Sequence, residues 1–280
     1  FRVYRTEIEV PTPGAGRLTV YALKDVTERT AENERWRLFQ YGYNAPNDLR
    51  YFEYPLKESA LGAKAVVEAM KLVHGDRRGR VRYRAVNAHD WQAALVPVFM
   101  KADTAFAGVG RILTVHNGAY MGNFRLKNDD GSDSYNQEFL RGLGLPAGYD
   151  RFGPGDPLEF HGQVVLQKAA LLAAHKINPV SPQYRNELLS PDDYVLPGNT
   201  RDMAGVYRSR QADLVGVMNG LDHDIWNPER DPADPAAPYA YTSFVAKDVR
   251  EKKPANKANF QKALGLTVDP DAPMMYACAR

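Results

Sequence analysis

The sequence predicts an α/β fold, a parallel sheet with helices on both faces. Three observations lead there. Short apolar, β-forming runs recur at residues 81–86, 111–115, 176–180 and 214–218. Segments of helical period or continuous apolar character alternate with them. Each run also ends in a polar turn, and ligands of open parallel sheets bind outside the carboxyl ends of the strands, where such turns gather.

The elements follow in order. Residues 2–10 and 17–23 alternate polar and apolar side chains across the Pro- and Gly-rich residues 11–16, which reads as two strands and a turn. Residues 31–54 mix polar and aromatic types without a period and read as loop and short helix. Leu61, Ala65, Val66, Ala69, Leu72 and Val73 fall at helical spacing within 59–73, with Gly75 as the stop. The strand at 81–86 runs into Asn87-Ala88-His89-Asp90-Trp91-Gln92. A helix is predicted over 92–101, with Pro97 bending it or marking its first turn. The strand at 111–115 ends in His116-Asn117-Gly118. Residues 127–157, rich in Gly, Asp, Asn and Pro, read as an irregular surface loop. Residues 160–174 read as a long apolar helix, 176–180 as a strand ending at Ser181-Pro182, and 183–189 as a short helix. The strand at 214–218 ends in Asn219-Gly220, and 227–238 form a Pro/Asp-rich connector. A helix over 254–264 stops at Gly265, and 274–279 form a last strand.

The composition is that of an ordinary globular chain: 280 residues, 44% apolar and 25% charged. The net charge of +2, from 36 basic and 34 acidic residues, offers no strong field for nucleic acid or an anionic membrane. Cys278 is the one cysteine, so no internal disulfide forms, which fits a reducing compartment. No apolar run reaches the length of a membrane span. The chain opens on Phe1-Arg2-Val3 without Met or a signal pattern, and both ends are expected to be cut.

In a parallel sheet the polar turns share one edge. That edge would carry His89, Asp90, His116, Asn117, Ser181, Asn219 and Gly220, with Arg280 closing a fifth strand. Amides and carboxylates hydrogen-bond sugar hydroxyls, and Arg grips phosphate bidentately, so the set suits a hydroxyl-rich ligand that bears phosphate. Plainer readings stand beside this one. Asp90 serves equally as a cap for the following helix. His116 alone reads more simply as a hydrogen-bonded structural histidine. Asn219-Gly220 is a common turn pair. Asp222-His223-Asp224 are sequence neighbours that converge poorly on a metal. No spacing matches a zinc or EF-hand site, a P-loop, a Gly-x-Gly-x-x-Gly turn or a serine-hydrolase elbow.

Together the motifs resemble those of the bacterial glycogen synthase and plant starch synthase family. The residues that carry the likeness are His89-Asp90-Trp91, Thr114-Val115-His116-Asn117 with Tyr120-Met121-Gly122, and Val180-Ser181-Pro182-Gln183-Tyr184. To these are added Asn219-Gly220-Leu221-Asp222 with Trp226-Asn227-Pro228, Asn256-Lys257 with Leu264-Gly265-Leu266, and Ala279-Arg280. The likeness runs from about Val81 to the end. The family's Lys-x-Gly-Gly loop is missing, and 197–205 match its Gly-rich segment poorly.

The resemblance implies a partial GT-B glycosyltransferase fold, Rossmann-like in its sheet. Residues 1–218 would be an N-terminal catalytic domain without its first strands, and 219–280 a hinge and the beginning of a nucleotide-sugar-binding domain. It implies a retaining transfer of glucose from ADP- or UDP-glucose to an α-1,4-glucan. Asp90, His116 and Arg280 would be catalytic, and His89, Trp91, Asn117, Asn219 and Gly220 would bind substrate. Trp91 fits packing of its turn better than stacking on sugar. No metal and no cofactor beyond the nucleotide sugar is expected, and the location would be cytoplasmic or plastid. Two other readings stay open: a non-catalytic, truncated paralogue that binds glucan or a partner, and another GT-B transferase such as a sucrose synthase.

Overall fold

A computed structural model describes residues 2–9, 17–24, 50–190, 203–223, 226–229 and 241–275. The chain divides into two compact units, Phe1–Met218 and Asn219–Arg280.

The first unit opens with an antiparallel ribbon, β1 (Arg2–Glu9) against β2 (Arg17–Lys24). The expected turn at 11–16 lies outside the described residues. Helix α1 (Arg50–His74) reaches further back than the predicted 59–73, and residues 31–49 lie outside the description. Its buried stripe is Leu56, Ala60, Ala63 and Val67, whereas Val66, Leu72 and Val73 face solvent. The sequence stripe was therefore offset. The buried stripe sets two small residues, Ala60 and Ala63, between Leu56 and Val67.

The main sheet is parallel, in the order β3 (Ala85–His89), β4 (Gly110–Val115), β8 (Lys176–Pro179). Strand β3 begins later than predicted and includes His89. Val81 instead forms an isolated bridge with Gly75. The register sets His89 beside Thr114 and Val115 beside Pro179, so the carboxyl ends of the three strands are level. Leu113, Val115 and Ile177 are fully buried in its centre. The predicted strand at 214–218 reduces to one parallel bridge, Leu214 with Ile177. It continues as an extended segment held by Val215 N–H to the Ile177 carbonyl (2.9 Å) and Val217 N–H to Asn178 Oδ1 (2.7 Å).

Helix α2 (Leu95–Ala102) follows a 3-10 turn, Trp91–Ala93, and six of its residues, Leu95 to Met100, are buried. Pro97 sits in its first turn, where a backbone N–H has no intrahelical partner to lose. Helix α4 (Leu166–Ala173) is buried on nearly every side and packs on α2. Helices that are apolar all round belong in a core.

The stretch expected to be one helix over 160–174 is a hairpin and a helix. A small antiparallel sheet joins β5 (Asn123–Arg125), β7 (Gln163–Val165) and β6 (Glu159–Phe160). His161 and Gly162, both at positive φ, make the two-residue turn between β6 and β7. The region expected to be irregular loop contains α3 (Tyr135–Gly142), capped by Ser134 and burying Asn136, Gln137 and Leu140. Helix α5 (Pro182–Leu189) starts one residue earlier than predicted. Helix α6 (Ala204–Ser209) was not foreseen; the poorly matched segment 197–202 ahead of it lies outside the described residues.

In the second unit α7 spans Val249–Ala263, so Pro254 lies inside the helix and does not start it. Leu266 N–H donates to the Gln261 carbonyl beyond the predicted stop at Gly265. Asn256 accepts Thr242 N–H and donates to its carbonyl, and Lys257 donates to Pro270 and Ala272 carbonyls. Met274 and Met275 are not in a strand, and residues 276–280 lie outside the described residues. Among the described residues no helix is long and apolar enough to cross a membrane.

Candidate active site

Two neighbouring strand ends bring His89, Asp90 and His116 together. The chain leaves β3 through Asp90, whose N–H donates to the Thr114 carbonyl at 2.9 Å. Asp90 then turns with φ 54° and ψ −170°. That region is nearly exclusive to glycine and costs about 1–3 kcal/mol in a residue with a side chain. Such strain persists where the surroundings enforce it and is a marker of functional positions. The Asp90 side chain makes no cap bond to the following turn. Oδ1 accepts the backbone N–H of His116 at 2.8 Å instead, tying the end of β3 to the end of β4.

The imidazoles meet across the same gap. His89 Nδ1 and His116 Nε2 are 2.9 Å apart, and the rings are close to parallel at 19°. Burial holds the His89 pKa below the ordinary histidine value; nearby His116 adds to this and Asp90 opposes it. A histidine whose pKa is depressed on folding contributes stability above its unfolded pKa. That stability is lost as the pH falls through the folded value.

Asn117 is exposed, and its Oδ1 accepts Ala119 N–H at 3.0 Å, closing the loop after β4 on itself. Gly118 N–H donates to the Tyr184 hydroxyl from the first turn of α5. Ser181, predicted on the polar edge, accepts Tyr184 N–H at 2.9 Å and so caps α5. Burial raises the Tyr184 pKa, the Gly118 bond works against this, and the Asp90 charge adds to it. The phenol therefore stays neutral.

Trp91 lies partly buried, edge-on to Phe124 at 5.8 Å. Gly122 (φ +67°) presses on its ring: a Cβ there would come within 2.8 Å of Trp91 Cε3. Trp91 thus packs the loop of β4 against the turn of β3.

Asn219 and Gly220 stand in the second unit, and Arg280 lies outside the described residues. Among the described residues no three His, Cys, Asp or Glu side chains gather as a metal ion would need.

Sequence reasoning gave no role to Tyr184, Tyr207 or Gln167. Gln167 and Tyr207 are fully buried, with Gln167 Nε2 donating to the Tyr207 hydroxyl at 2.7 Å. Burial drives the Tyr207 pKa upward; the neighbouring Tyr184 phenol and the Asp90 carboxylate add to this, and the Gln167 bond works against it. The available sign was a polar Gln in the first turn of an apolar helix. Tyr207→Phe is expected to lower stability by about 1–3 kcal/mol, because it strands a buried amide. Adding Gln167→Leu should recover much of that loss, and denaturant midpoints of the three variants check this.

The comparisons agree with one another. A family model described as the starch synthase catalytic domain matches residues 6–205. Glycogen synthase of Leptothrix cholodnii is 34% identical over 200 residues, 70% of this chain and 36% of that protein. Glycogen synthase of Roseobacter denitrificans is 32% identical over 244 residues, 87% of this chain and 44% of that protein. The chain thus spans less than half the length of these relatives. The catalytic domain of starch synthase IV from Arabidopsis thaliana, solved bound to ADP and acarbose, superposes with a TM-score of 0.55 at 22% identity. The match covers 76% of this chain and 38% of that one. At that identity the likeness speaks for the fold, part of a GT-B arrangement.

Proposed function

Because the chain belongs to the starch synthase catalytic domain family, we propose that the whole protein is a retaining glucosyltransferase. It moves glucose from ADP- or UDP-glucose to the non-reducing end of an α-1,4-glucan. The observation that supports this most is the cluster at the sheet edge: a strained Asp90 bonded to His116 N–H, with His89 against the His116 ring.

The barrier lies in breaking the bond from sugar to diphosphate while positive charge grows at the reacting carbon. In this reading Asp90 faces that charge and favours it electrostatically. His116 and Asn117 hold the glucose against the diphosphate. By the family likeness Asn219 and Gly220 are assigned to sugar binding, and Arg280 to neutralising the leaving diphosphate together with other cations of the whole protein. The nucleotide sugar is a substrate, and no cofactor or metal enters the proposal. Trp91 acts by packing. A cytoplasmic or plastid location goes with the proposal.

The test uses the complete protein, labelled ADP-glucose and UDP-glucose, and glycogen as acceptor. Label should enter glycogen from at least one donor, and His116→Ala should lower the rate by about 10²–10³. Near-normal turnover in that variant would remove the site assignment, and no transfer from either donor would remove the glucosyltransferase reading.

A further inference from the structure

The His89–His116 contact carries more than proximity. A hydrogen bond between two imidazole nitrogens needs one donor and one acceptor, and each neutral ring has one N–H. The tautomers of the two rings are therefore coupled. If His89 donates through Nδ1, His116 accepts at Nε2 and holds its own proton on Nδ1. If His116 donates through Nε2, its Nδ1 carries a lone pair. The pairing decides whether His116 Nδ1 is a donor or an acceptor, and a sugar hydroxyl or phosphate oxygen meets a different group in each case.

We propose that His89 is a positioning residue that fixes the tautomer and ring plane of His116, and that it does not itself bind sugar. The proposal rests on the reading that His116 serves the sugar site. Three features argue for it. The backbone beneath the His116 ring is already clamped, by Asp90 Oδ1 at its N–H and by Tyr184 two residues on. The contact at 2.9 Å holds the His116 ring against rotation about its side-chain bonds. The near-parallel rings, with centroids 5.2 Å apart, leave His89 turned toward its partner.

The experiment follows His116 by NMR in the whole protein carrying ¹⁵N-labelled histidine. Ring nitrogen shifts report which nitrogen bears the proton. Wild type, His89→Ala and His89→Asn are compared at pH 7.5, with steady-state transfer measured on each. The Asn amide brings both a donor and an acceptor near the place of Nδ1 and can renew the bond. The wild type should show one pure tautomer at His116. His89→Ala should show a mixture, with kcat lowered about 10–100-fold and the KM for glucan unchanged. His89→Asn should renew the contact, hold the His116 ring plane and restore most of the rate.

An unchanged His116 tautomer in His89→Ala would overturn the proposal. So would a rise in donor KM shared by both variants while His116 keeps its wild-type signals, since His89 would then touch the sugar directly. If no form of the protein transfers glucose, the enzyme reading fails, and the nitrogen shifts still decide whether His89 sets the state of His116. Should His89→Ala fail to fold, His89→Asn and the wild-type spectrum decide: a mixed tautomer in the folded Asn variant with full activity would also overturn it.

Discussion

Asp90→Ala, made in the complete protein, is expected to lower glucosyl transfer to glucan by about 10²–10³ and to leave the protein folded. The carboxylate is the one anionic side chain in the described cluster of His89, Asp90 and His116. In the proposed reaction it faces a carbon that gains positive charge. Its loss also frees His116 N–H, but His116 is exposed and water takes over that bond at small cost. The effect should therefore fall on turnover far more than on melting temperature. Two companion variants separate charge from backbone. Asp90→Gly relieves the strain of φ 54° and should melt higher than Asp90→Ala while being as inactive. Asp90→Asn keeps an acceptor of the same shape, so its remaining activity measures what the charge contributes. Incorporation of labelled glucose and thermal melts of the three variants supply the comparison. Transfer by Asp90→Ala within tenfold of the parent would sink the role given to this residue.

Gly216→Ala is expected to be the most destabilising single-methyl change in the sheet region. A Cβ at Gly216 would fall onto the Ser181 carbonyl oxygen and within 2.6 Å of the Pro182 nitrogen. Both obstacles are backbone, in the turn from β8 to the capped start of α5, and neither swings aside as a side chain does. The chain at 214–218 would have to lift off β8. That breaks Val215 N–H to Ile177, Val217 N–H to Asn178, and the bond from Arg185 Nε to the Leu214 carbonyl at 2.9 Å. With each bond worth about 1 kcal/mol, the total loss is about 3 kcal/mol. In a unit of this size that lowers the melting temperature by roughly 6–12 °C. Val217→Ala, at an exposed neighbour, should move it by little. Circular dichroism melts of the two variants decide, and a Gly216→Ala protein melting within about 2 °C of the parent would show that this segment does not dock as described.

What the sequence disclosed follows from the range of the forces involved. Strand β4 was placed to within one residue at its start because its apolar run is short and ends at a polar His-Asn-Gly turn. The start of α5 was placed to within one residue because Ser181-Pro182 is a local break after the strand, but Ser181 was read as part of the polar edge and not as the cap it proves to be. Helix α3 stayed hidden because part of its buried face is polar. Asn136 donates to the Arg125 carbonyl, and a search for apolar spacing passes over such a residue. The hairpin of β6 and β7 was absorbed into the predicted helix because its two-residue turn, His161-Gly162, interrupts the apolar run too briefly to be noticed.

At the site, His89, Asp90 and His116 were found because each stands at the end of an apolar strand. The use of Asp90 as a tie between strands, not as a helix cap, depends on a partner that sequence distance conceals. Tyr184 and the Gln167–Tyr207 pair escaped for the same reason: their bonds join residues whose proximity only the folded chain creates.

The bonds that hold the loop after β4 close over very different stretches of chain. Asp90 lies 26 residues before His116, whereas Tyr184 lies 66 residues after Gly118. A ribosome adds ~5–20 residues per second, so Tyr184 is joined to the nascent chain roughly 3–13 s after Gly118. Throughout that interval both histidines and Asp90 are already present, but the loop lacks its second anchor. The site is thus built in two stages in the order of synthesis. A pause in translation between β4 and α5 would lengthen the time for which the loop is held from one side only.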